Sequence, residues 1–408
     1  VAAVNTAVSR LAAKTLAPGA GLHAEVAIFL PTTAAKTRTY GSMFDHLDTD
    51  TDCYTGLQFQ LSALGTPVRW YYLEQLPQLS ASRLARIRLA ILPSPVVISA
   101  ALAQTITAKL ANSNRTLVWT HTVGLLSSAS ANDFNLSRAR KITGFDALQS
   151  HASAAPIRTK FVAASPSDFP LAPQWSAQLL AASSLPYRQW EGSPPASAPD
   201  YVTRYMKANT TSPWFSVRED GDVAVLGRFD GGGASAGKVS IAHQAKGDHS
   251  VVYSSQSWLP RLAWRAIAAA AGVHLYVDGG TAGPPKFTKA DCQNKTDCPE
   301  CLGDGTGKCL GIGDVAEASG PALMVHAGGA LMHGGDRKRT VRLPCAAETV
   351  HDENHGLVCR NCDHFKTSHM DPGDSLLFEV DIACGASTPL KTDDATFQPR
   401  SYWRTDHM

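Results

Sequence analysis

The chain has 408 residues, 44% of them hydrophobic, and a formal net charge of +2. This length predicts two or three domains rather than one core. The small charge, without a basic run, excludes nucleic acid and anionic membrane surfaces as partners. The most apolar long stretch, 259–277, contains two arginines and a histidine and is too short and too charged to cross a bilayer.

The first part of the chain, from about residue 25 to 145, alternates short β-branched and aromatic runs with helical patterns. Strands are predicted over 26–30, 68–72, 87–92 and 116–119, with helices near 53–64 and 97–111. This alternation is typical of a parallel sheet wrapped by helices through right-handed crossovers. The sequence therefore predicts a doubly wound, flavodoxin-like α/β layer.

Residues 150–213 are rich in Ser, Ala and Pro, and no regular structure is predicted for them. The segment is either an ordered excursion or a linker. After it, a hairpin (223–226 and 238–241), a strand (250–253) and a helix (260–271) complete a first domain predicted to span residues 1–278.

Beyond residue 278, Gly, Pro and Cys separate short strands predicted over 322–325, 340–343 and 376–380. This spacing is typical of a small antiparallel β-sandwich. The second domain is predicted to span 279–384, and the polar residues 385–408 form a C-terminal arm.

Eight of the nine cysteines lie after residue 290. An even, dense set in a loop-rich module indicates a disulfide framework and an oxidising compartment. Cys53 stands apart and is either a buried thiol or a residue that pairs with another chain. The eight disulfide candidates are Cys292, Cys298, Cys301, Cys309, Cys345, Cys359, Cys362 and Cys384.

Two of these cysteine pairs have the CxxC spacing of a structural zinc site, Cys298 with Cys301 and Cys359 with Cys362. Disulfides are favoured over zinc because the cysteines form an even set in a chain that also has glycosylation signals. The run from His351 to His355 is not the HExxH arrangement and is interpreted as a turn between strands. The sequence therefore predicts no metal site and no cofactor.

Four Asn-x-Ser/Thr sequons, at Asn114, Asn135, Asn209 and Asn294, lie in polar stretches suited to N-linked glycans. Together with the cysteine cluster they predict a secreted, extracellular protein. The start at Val1, with no initiator Met and no signal peptide, indicates a processed chain or a fragment.

A set of short motifs, in this order along the chain, resembles the two C-terminal domains of barrel-type β-galactosidases and related glycoside hydrolases. The resemblance implies a class I glutamine-amidotransferase-like domain, the trimerisation domain of that family, followed by a small β-sandwich. In the family a catalytic TIM barrel precedes both. The motifs are Gly65 to Val68, Ile87 to Pro95, Thr143 to Phe145, Val251 to Tyr253, Leu259-Pro260, Ala271 to Tyr276, Val325 to Ala327, Val341 to Pro344, Thr349 to Asp352 and Asp371 to Leu376.

No catalytic residue is predicted in this chain. A glycosidase needs two carboxylates beside the scissile bond, and in the resembled family these lie on the barrel, which does not precede this domain here. An active amidotransferase-like domain places a cysteine in a strand-to-helix elbow. The corresponding stretch, Thr120 to Gly124, contains no cysteine.

Three functional hypotheses follow from the sequence. The first is a non-catalytic oligomerisation or accessory region of a secreted glycoside-hydrolase-like protein, whose enzymatic barrel lies outside this chain. The second is a structural glycoprotein of an extracellular assembly. The third is a carbohydrate-binding module that stacks exposed aromatic rings on sugars. The expected partners are further copies of the chain or other subunits of a larger extracellular assembly, with carbohydrate as a ligand under the third hypothesis.

Overall fold

A computed structural model describes the chain over residues 24–31, 61, 64–128, 134–153, 155–156, 159–162, 169–184, 210–211, 214–219, 222–256, 259–277, 315–319, 322–326, 338–352, 356–369 and 375–382. The fold is mixed α/β, with one large mixed sheet and one small antiparallel sheet. Among the described residues, no helix has the length and apolar character needed to cross a membrane.

The large sheet contains strands from the first two-thirds of the chain. They are β1 (Val26–Leu30), β2 (Val68–Tyr72), β3 (Leu89–Pro93), β4 (Arg115–Thr120), β5 (Leu148–His151), β7 (Thr159–Phe161), β9 (Trp214–Val217), β10 (Val223–Phe229), β11 (Val239–Lys246) and β12 (His249–Ser254). The short strands β6 (Ala155–Pro156) and β8 (Thr210–Thr211) pair with each other.

The described helices are α1 (Ala81–Leu84), α2 (Ala100–Leu110), α3 (Leu136–Thr143), α4 (Pro173–Ala181) and α5 (Arg261–Ala270). Short 3₁₀-helices occupy Leu73–Gln78, Ala182–Ser184 and Gly233–Ser235. The start of α2 is capped by the Ser99 side chain, which accepts a hydrogen bond from the Leu102 amide, and α3 ends at Gly144 in the left-handed conformation.

The order of the main strands is β2-β1-β3-β4-β12-β11-β10-β7, with β5 and β9 attached beside β11. Strands β2, β1, β3, β4 and β12 run parallel to one another. From β12 onward the neighbours are antiparallel, because a tight turn at Gly247 joins β11 directly to β12. The predicted parallel sheet is thus one half of a mixed sheet.

Strands β1, β3 and β4 of the parallel half are buried on both faces, which explains the continuous apolar runs in β1 and β3. In β1, Ala27 and Phe29 belong to the core covered by α2 and α3, and Val26 and Ile28 to the core covered by α4 and α5. Helices therefore pack on both sides of this half of the sheet.

The chain-order predictions compare well with these elements. The predicted strands 26–30 and 68–72 are β1 and β2, and the predicted helix 97–111 is α2. Most of the predicted helix 53–64 lies outside the described residues. The segment 150–213, for which no structure was predicted, contributes β7 to the large sheet and α4 to its cover, so its described parts are ordered.

The small sheet has the order β13-β14-β17-β15-β16 and is antiparallel throughout. In the described residues it is a single sheet, whereas a sandwich of two facing sheets was expected. Its core includes Val325, Val350 and Phe378, together with Val277 from the large unit. The strands are β13 (Val315–Ser319), β14 (Ala322–His326), β15 (Thr340–Asp352), β16 (Gly356–Lys366) and β17 (Ser375–Ile382).

Candidate functional site

The carboxyl ends of β3, β4 and β12 meet at one edge of the large sheet, which is where ligands bind in open α/β folds. This carboxyl edge is lined by polar residues that are almost fully buried. Their exposed fractions are 0–2%. The residues are Ser94, Thr120, His121, Thr122, Ser254, Ser255 and Gln256.

Hydrogen bonds connect the three strand ends at this edge. The Ser94 amide donates to Thr120 Oγ1 over 3.1 Å, which links the end of β3 to β4. The His121 amide donates to the Ser254 carbonyl over 2.6 Å, and the Tyr253 hydroxyl donates to the His121 carbonyl over 2.6 Å. The backbone of the carboxyl edge is therefore fixed by contacts on both sides of β4.

Two residues of the carboxyl edge have left-handed backbone without being glycine, Ser94 at φ 42° and His121 at φ 45°. Such residues are uncommon and cluster at functional sites and switches. His121 lies in the stretch after β4 that, in the family resemblance, corresponds to the strand-to-helix elbow of an active amidotransferase-like domain. The sharp turn is present, and a histidine stands at its positive-φ position.

The His121 ring has 1% of its surface exposed and packs edge-to-face on Phe215, with 5.4 Å between the ring centroids. A nucleophile at an elbow must reach a substrate and be activated by a base. The nearby Ser94 hydroxyl lies 3.4 Å from the Thr120 hydroxyl, which is not a base. In the described residues, the carboxyl edge therefore contains a turn of the right shape without a cysteine–histidine pair.

Two further side chains at the carboxyl edge, Thr122 and Gln256, are buried with an unpaired polar atom. Thr122 Oγ1 and Gln256 Nε2 form no hydrogen bond within the part of the chain that the structure describes. Leaving such a group unpaired costs about 1–3 kcal/mol. These two atoms are therefore available to hydrogen-bond a molecule that binds at the carboxyl edge.

The opposite, amino edge of the same sheet contains a buried arginine. Arg265 of α5 is 1% exposed, and its guanidinium donates to the Leu64 carbonyl and, over 2.8 Å, to the Val277 carbonyl. The guanidinium also lies over the Trp175 ring, 5.5 Å from its centroid. Arg265 thereby holds the chain before β2 against the chain that leaves α5.

Gly65 lies at the centre of this contact, with left-handed backbone at φ 77°. A Cβ atom there would stand 2.9 Å from the Val277 carbonyl oxygen, closer than such contacts allow. The Gly65 carbonyl accepts a hydrogen bond from the Tyr276 amide over 2.8 Å. Two motifs of the sequence resemblance, Gly65 to Val68 and Ala271 to Tyr276, are thus brought into direct contact.

Glu25, just before β1, joins the same region. Its carboxylate accepts hydrogen bonds from Arg88 Nε over 2.8 Å and from the His274 amide over 2.6 Å. Burial, and then the negative charge of Glu25, raise the pKa of the Tyr276 phenol from its ordinary value of 10 to about 12, against the opposing charge of Arg86.

The segment from Val273 to Val277 also connects the two sheets, and we call it the junction. Val277 forms an antiparallel bridge with Val341 of β15. The Arg342 amide donates to the Tyr276 carbonyl over 2.7 Å, and His274 Nε2 lies 3.0 Å from the Arg342 carbonyl. The junction is therefore hydrogen-bonded to the large sheet on one side and to the small sheet on the other.

The predicted disulfide candidates are described only in part. Cys359 and Cys362 of β16 are joined by a disulfide. Cys345 lies in β15, but its side chain is not described. Cys53, Cys292, Cys298, Cys301, Cys309 and Cys384 lie outside the described residues, and their pairing stays a prediction.

Two of the four predicted sequons can be placed. Asn114 is exposed in the turn before β4, and Asn135 is exposed at the start of α3, where its side chain accepts a hydrogen bond from the Arg138 amide over 3.0 Å. Asn209 and Asn294 lie outside the described residues. Within the described ranges, no group of three or more His, Cys, Asp or Glu side chains is arranged to hold a metal ion.

Sequence reasoning missed the role of Arg265. The residue was noted only as a charge that argues against a membrane span. An arginine in the middle of an apolar helical run is, however, a signal of a buried cation that must find carbonyl partners. Arg115 is a second case, because it is 2% exposed and donates to the carbonyls of Ile87 and Leu84.

These observations define a mixed α/β unit with helices on both faces of its parallel half, connected through a bonded junction to an antiparallel sheet. No model of a known protein family matches the sequence, and no curated protein matches it.

Several solved structures resemble this fold. A β-galactosidase from a Rahnella species is 13% identical, with a TM-score of 0.50 over 88% of this chain and 41% of that protein. β-Galactosidases from Bacillus circulans and Halorubrum lacusprofundi are 10% and 12% identical, each with a TM-score of 0.44 over 88% of this chain and 42% and 40% of theirs. The chain thus spans about two-fifths of the length of these proteins. At such identity the likeness concerns the fold.

Proposed function

We propose that this chain is the non-catalytic oligomerisation or accessory region of a secreted glycoside-hydrolase-like protein. Its large sheet is a flavodoxin-like unit of the amidotransferase type, and its small sheet is part of a disulfide-bonded, glycosylated β-sandwich. The order β2-β1-β3-β4-β12 of the parallel strands supports the first assignment. The fold likeness to a β-galactosidase of which this chain covers 41% supports the role as one region of a larger protein.

The observation that carries the proposal is the elbow after β4. The turn has the left-handed backbone of a catalytic elbow, but a buried histidine packed on Phe215 occupies it. A domain that keeps the turn without an accessible nucleophile acts through its surfaces. The junction supports the same view, because it holds the small sheet against the large one as a bracing element would require.

The test uses the intact chain purified without reductant. Light scattering coupled to size-exclusion chromatography at micromolar concentration is expected to give the mass of an oligomer. Hydrolysis of an aryl-β-galactoside by the same sample is expected to be at the level of buffer alone.

A monomer at every concentration contradicts the oligomerisation role. Turnover of the aryl-galactoside that follows the chain through purification contradicts the non-catalytic role. The two readouts are independent, so each half of the proposal can fail separately.

A further inference from the structure

The disulfide of β16 does not cross-link two parts of the fold, because both of its cysteines belong to the same strand. Cys359 and Cys362 are three residues apart in sequence, and their Cα atoms are 6.2 Å apart. A bond within one strand ties no two elements together. The pairing of β15 with β16 is held by backbone hydrogen bonds whether or not this disulfide is present.

The backbone between the two cysteines shows how they meet. In a regular strand, residues three apart point to opposite faces and their Cα atoms are about 10 Å apart. Asn361 breaks this pattern with a φ of 48°, a conformation that asparagine tolerates better than most residues. The kink at Asn361 brings the two cysteines close enough to form the bond.

The disulfide lies where an external reagent can approach it. In the part of the chain that the structure describes, β16 is the outermost strand of its sheet. Arg360 and Asn361, between the two cysteines, are exposed, and the cysteine side chains are half-buried. Only the inner side of the two sulfurs packs against the core of the small sheet.

The charge near the disulfide favours thiolate chemistry. Arg360 is an exposed residue between the two cysteines in sequence, and a neighbouring arginine stabilises a cysteine thiolate. The nearest carboxylate in sequence, Asp363, is hydrogen-bonded to its neighbour, with 2.6 Å between its Oδ1 and His364 Nδ1.

We propose that Cys359 and Cys362 form a thiol–disulfide exchange site whose co-substrate is an external dithiol, either a small molecule or the CxxC pair of another protein. One thiolate of the dithiol attacks the sulfur of one cysteine. The Cys359–Cys362 bond breaks, and the other cysteine leaves as a thiolate that takes up a proton. The second thiol of the reductant then attacks the mixed disulfide and releases the first cysteine. Two electrons and two protons pass to the protein, and the dithiol becomes a disulfide.

The test exposes the native, unreduced chain to dithiothreitol buffers of graded reduced-to-oxidised ratio, followed by differential alkylation and peptide mass spectrometry. Cys359 and Cys362 are expected to become alkylated together while the circular dichroism spectrum stays native. If this pair is reduced only where the protein unfolds, the bond is structural and the proposal is wrong. Zinc bound to these two cysteines in native mass spectrometry overturns it as well.

A charge variant tests the exchange chemistry without removing a cysteine. Arg360→Glu is expected to slow reduction of the disulfide roughly threefold to tenfold, because the thiolate leaving group is less stabilised. Arg360→Lys is expected to stay within about twofold of the parent. Lys366→Glu, an equal charge change on the same strand, is the matched control. Equal slowing by Arg360→Glu and Lys366→Glu contradicts a local role of Arg360.

Discussion

The two edges of the parallel half-sheet are built from different chemistry. The amino edge contains charged side chains, among them Arg265, Arg115 and the Glu25–Arg88 pair, whose hydrogen bonds are made mainly to backbone groups or to each other. The carboxyl edge contains hydroxyl, amide and imidazole groups and two left-handed residues. The buried arginines of the amino edge donate to backbone carbonyls, whereas Thr122 and Gln256 of the carboxyl edge keep an unpaired polar atom in the described residues.

We therefore expect the bonds at the amino ends of the strands to contribute more to the stability of the unit than those at the carboxyl ends. The junction attaches at the amino edge, where it is hydrogen-bonded to Gly65, Glu25 and Arg265. Substitutions at the amino edge are therefore expected to change the free energy of unfolding, and those at the carboxyl edge to change it little.

The largest effect is expected for Arg265→Met. Methionine fills much of the space but leaves the buried carbonyls of Leu64 and Val277 without their donor. We expect a loss of about 3 kcal/mol in the free energy of unfolding. Arg88→Met, at the same edge with the Arg88 side chain 55% exposed, is the control and should cost less than about 1 kcal/mol. Urea denaturation measures both, and equal losses would remove the distinction between buried and exposed cations.

A somewhat smaller effect is expected for Gly65→Ala. The new methyl group meets the Val277 carbonyl, and the residue keeps a positive φ, so the cost should be about 2 kcal/mol or more. Gly247→Ala has nearly the same φ, 69°, with no atom within 4 Å of the added carbon, and should cost about 1 kcal/mol. Thermal unfolding measures both variants. The loss for Gly247→Ala gives the cost of the backbone conformation, and the additional loss for Gly65→Ala gives the cost of the clash.

A pH-dependent effect is expected at the junction. Because the pKa of Tyr276 is raised in the folded state, its neutral form contributes stability that is complete below pH 10 and is lost as the pH rises through about 12. Tyr276→Phe should therefore reduce the free energy of unfolding that is lost at alkaline pH by up to about 2 kcal/mol. Tyr72→Phe, at a tyrosine that is 44% exposed, should leave the alkaline limb unchanged. Unfolding at a series of pH values between 8 and 12 is the measurement, and identical curves for the two variants would contradict the assignment.

The smallest effect is expected at the carboxyl edge. In Ser94→Gly the relief of positive φ offsets the loss of the contact with Thr120, so stability should change by less than about 0.5 kcal/mol. Ser113→Gly, at an exposed residue with φ 58°, lacks that loss and should gain about 0.5–1 kcal/mol. A loss above about 2 kcal/mol for Ser94→Gly would mean that the carboxyl edge stabilises the fold as strongly as the amino edge.

The elements with strong local patterns were predictable from the sequence. The buried strands β1 and β3 are continuous apolar runs, and α2 is flanked by clear helix start and stop positions. The antiparallel half was harder, because β5, β7 and β9 are only three or four residues long and lie next to Pro- and Ser-rich stretches. Their pairing depends on partners distant in sequence, such as Phe161 opposite Gly227.

For the candidate site, sequence alone pointed to the stretch after Trp119, where the structure has a left-handed residue at His121. The assignment of this stretch to the elbow of an amidotransferase-like domain stays a prediction. The partners of His121, among them Phe215 and Ser254, come from strands more than 90 residues away. The contact of Gly65 with the junction likewise joins segments about 200 residues apart, and no local pattern encodes such a pair.

The double attachment of Val277 has a mechanical consequence. Its carbonyl is held by Arg265, and its backbone is bridged to Val341 in the small sheet. We therefore expect a force applied to β15 to reach the turn at Gly65 through these two attachments. The hydrogen bonds that close this turn, just before β2, are expected to be among the first to break under such a force.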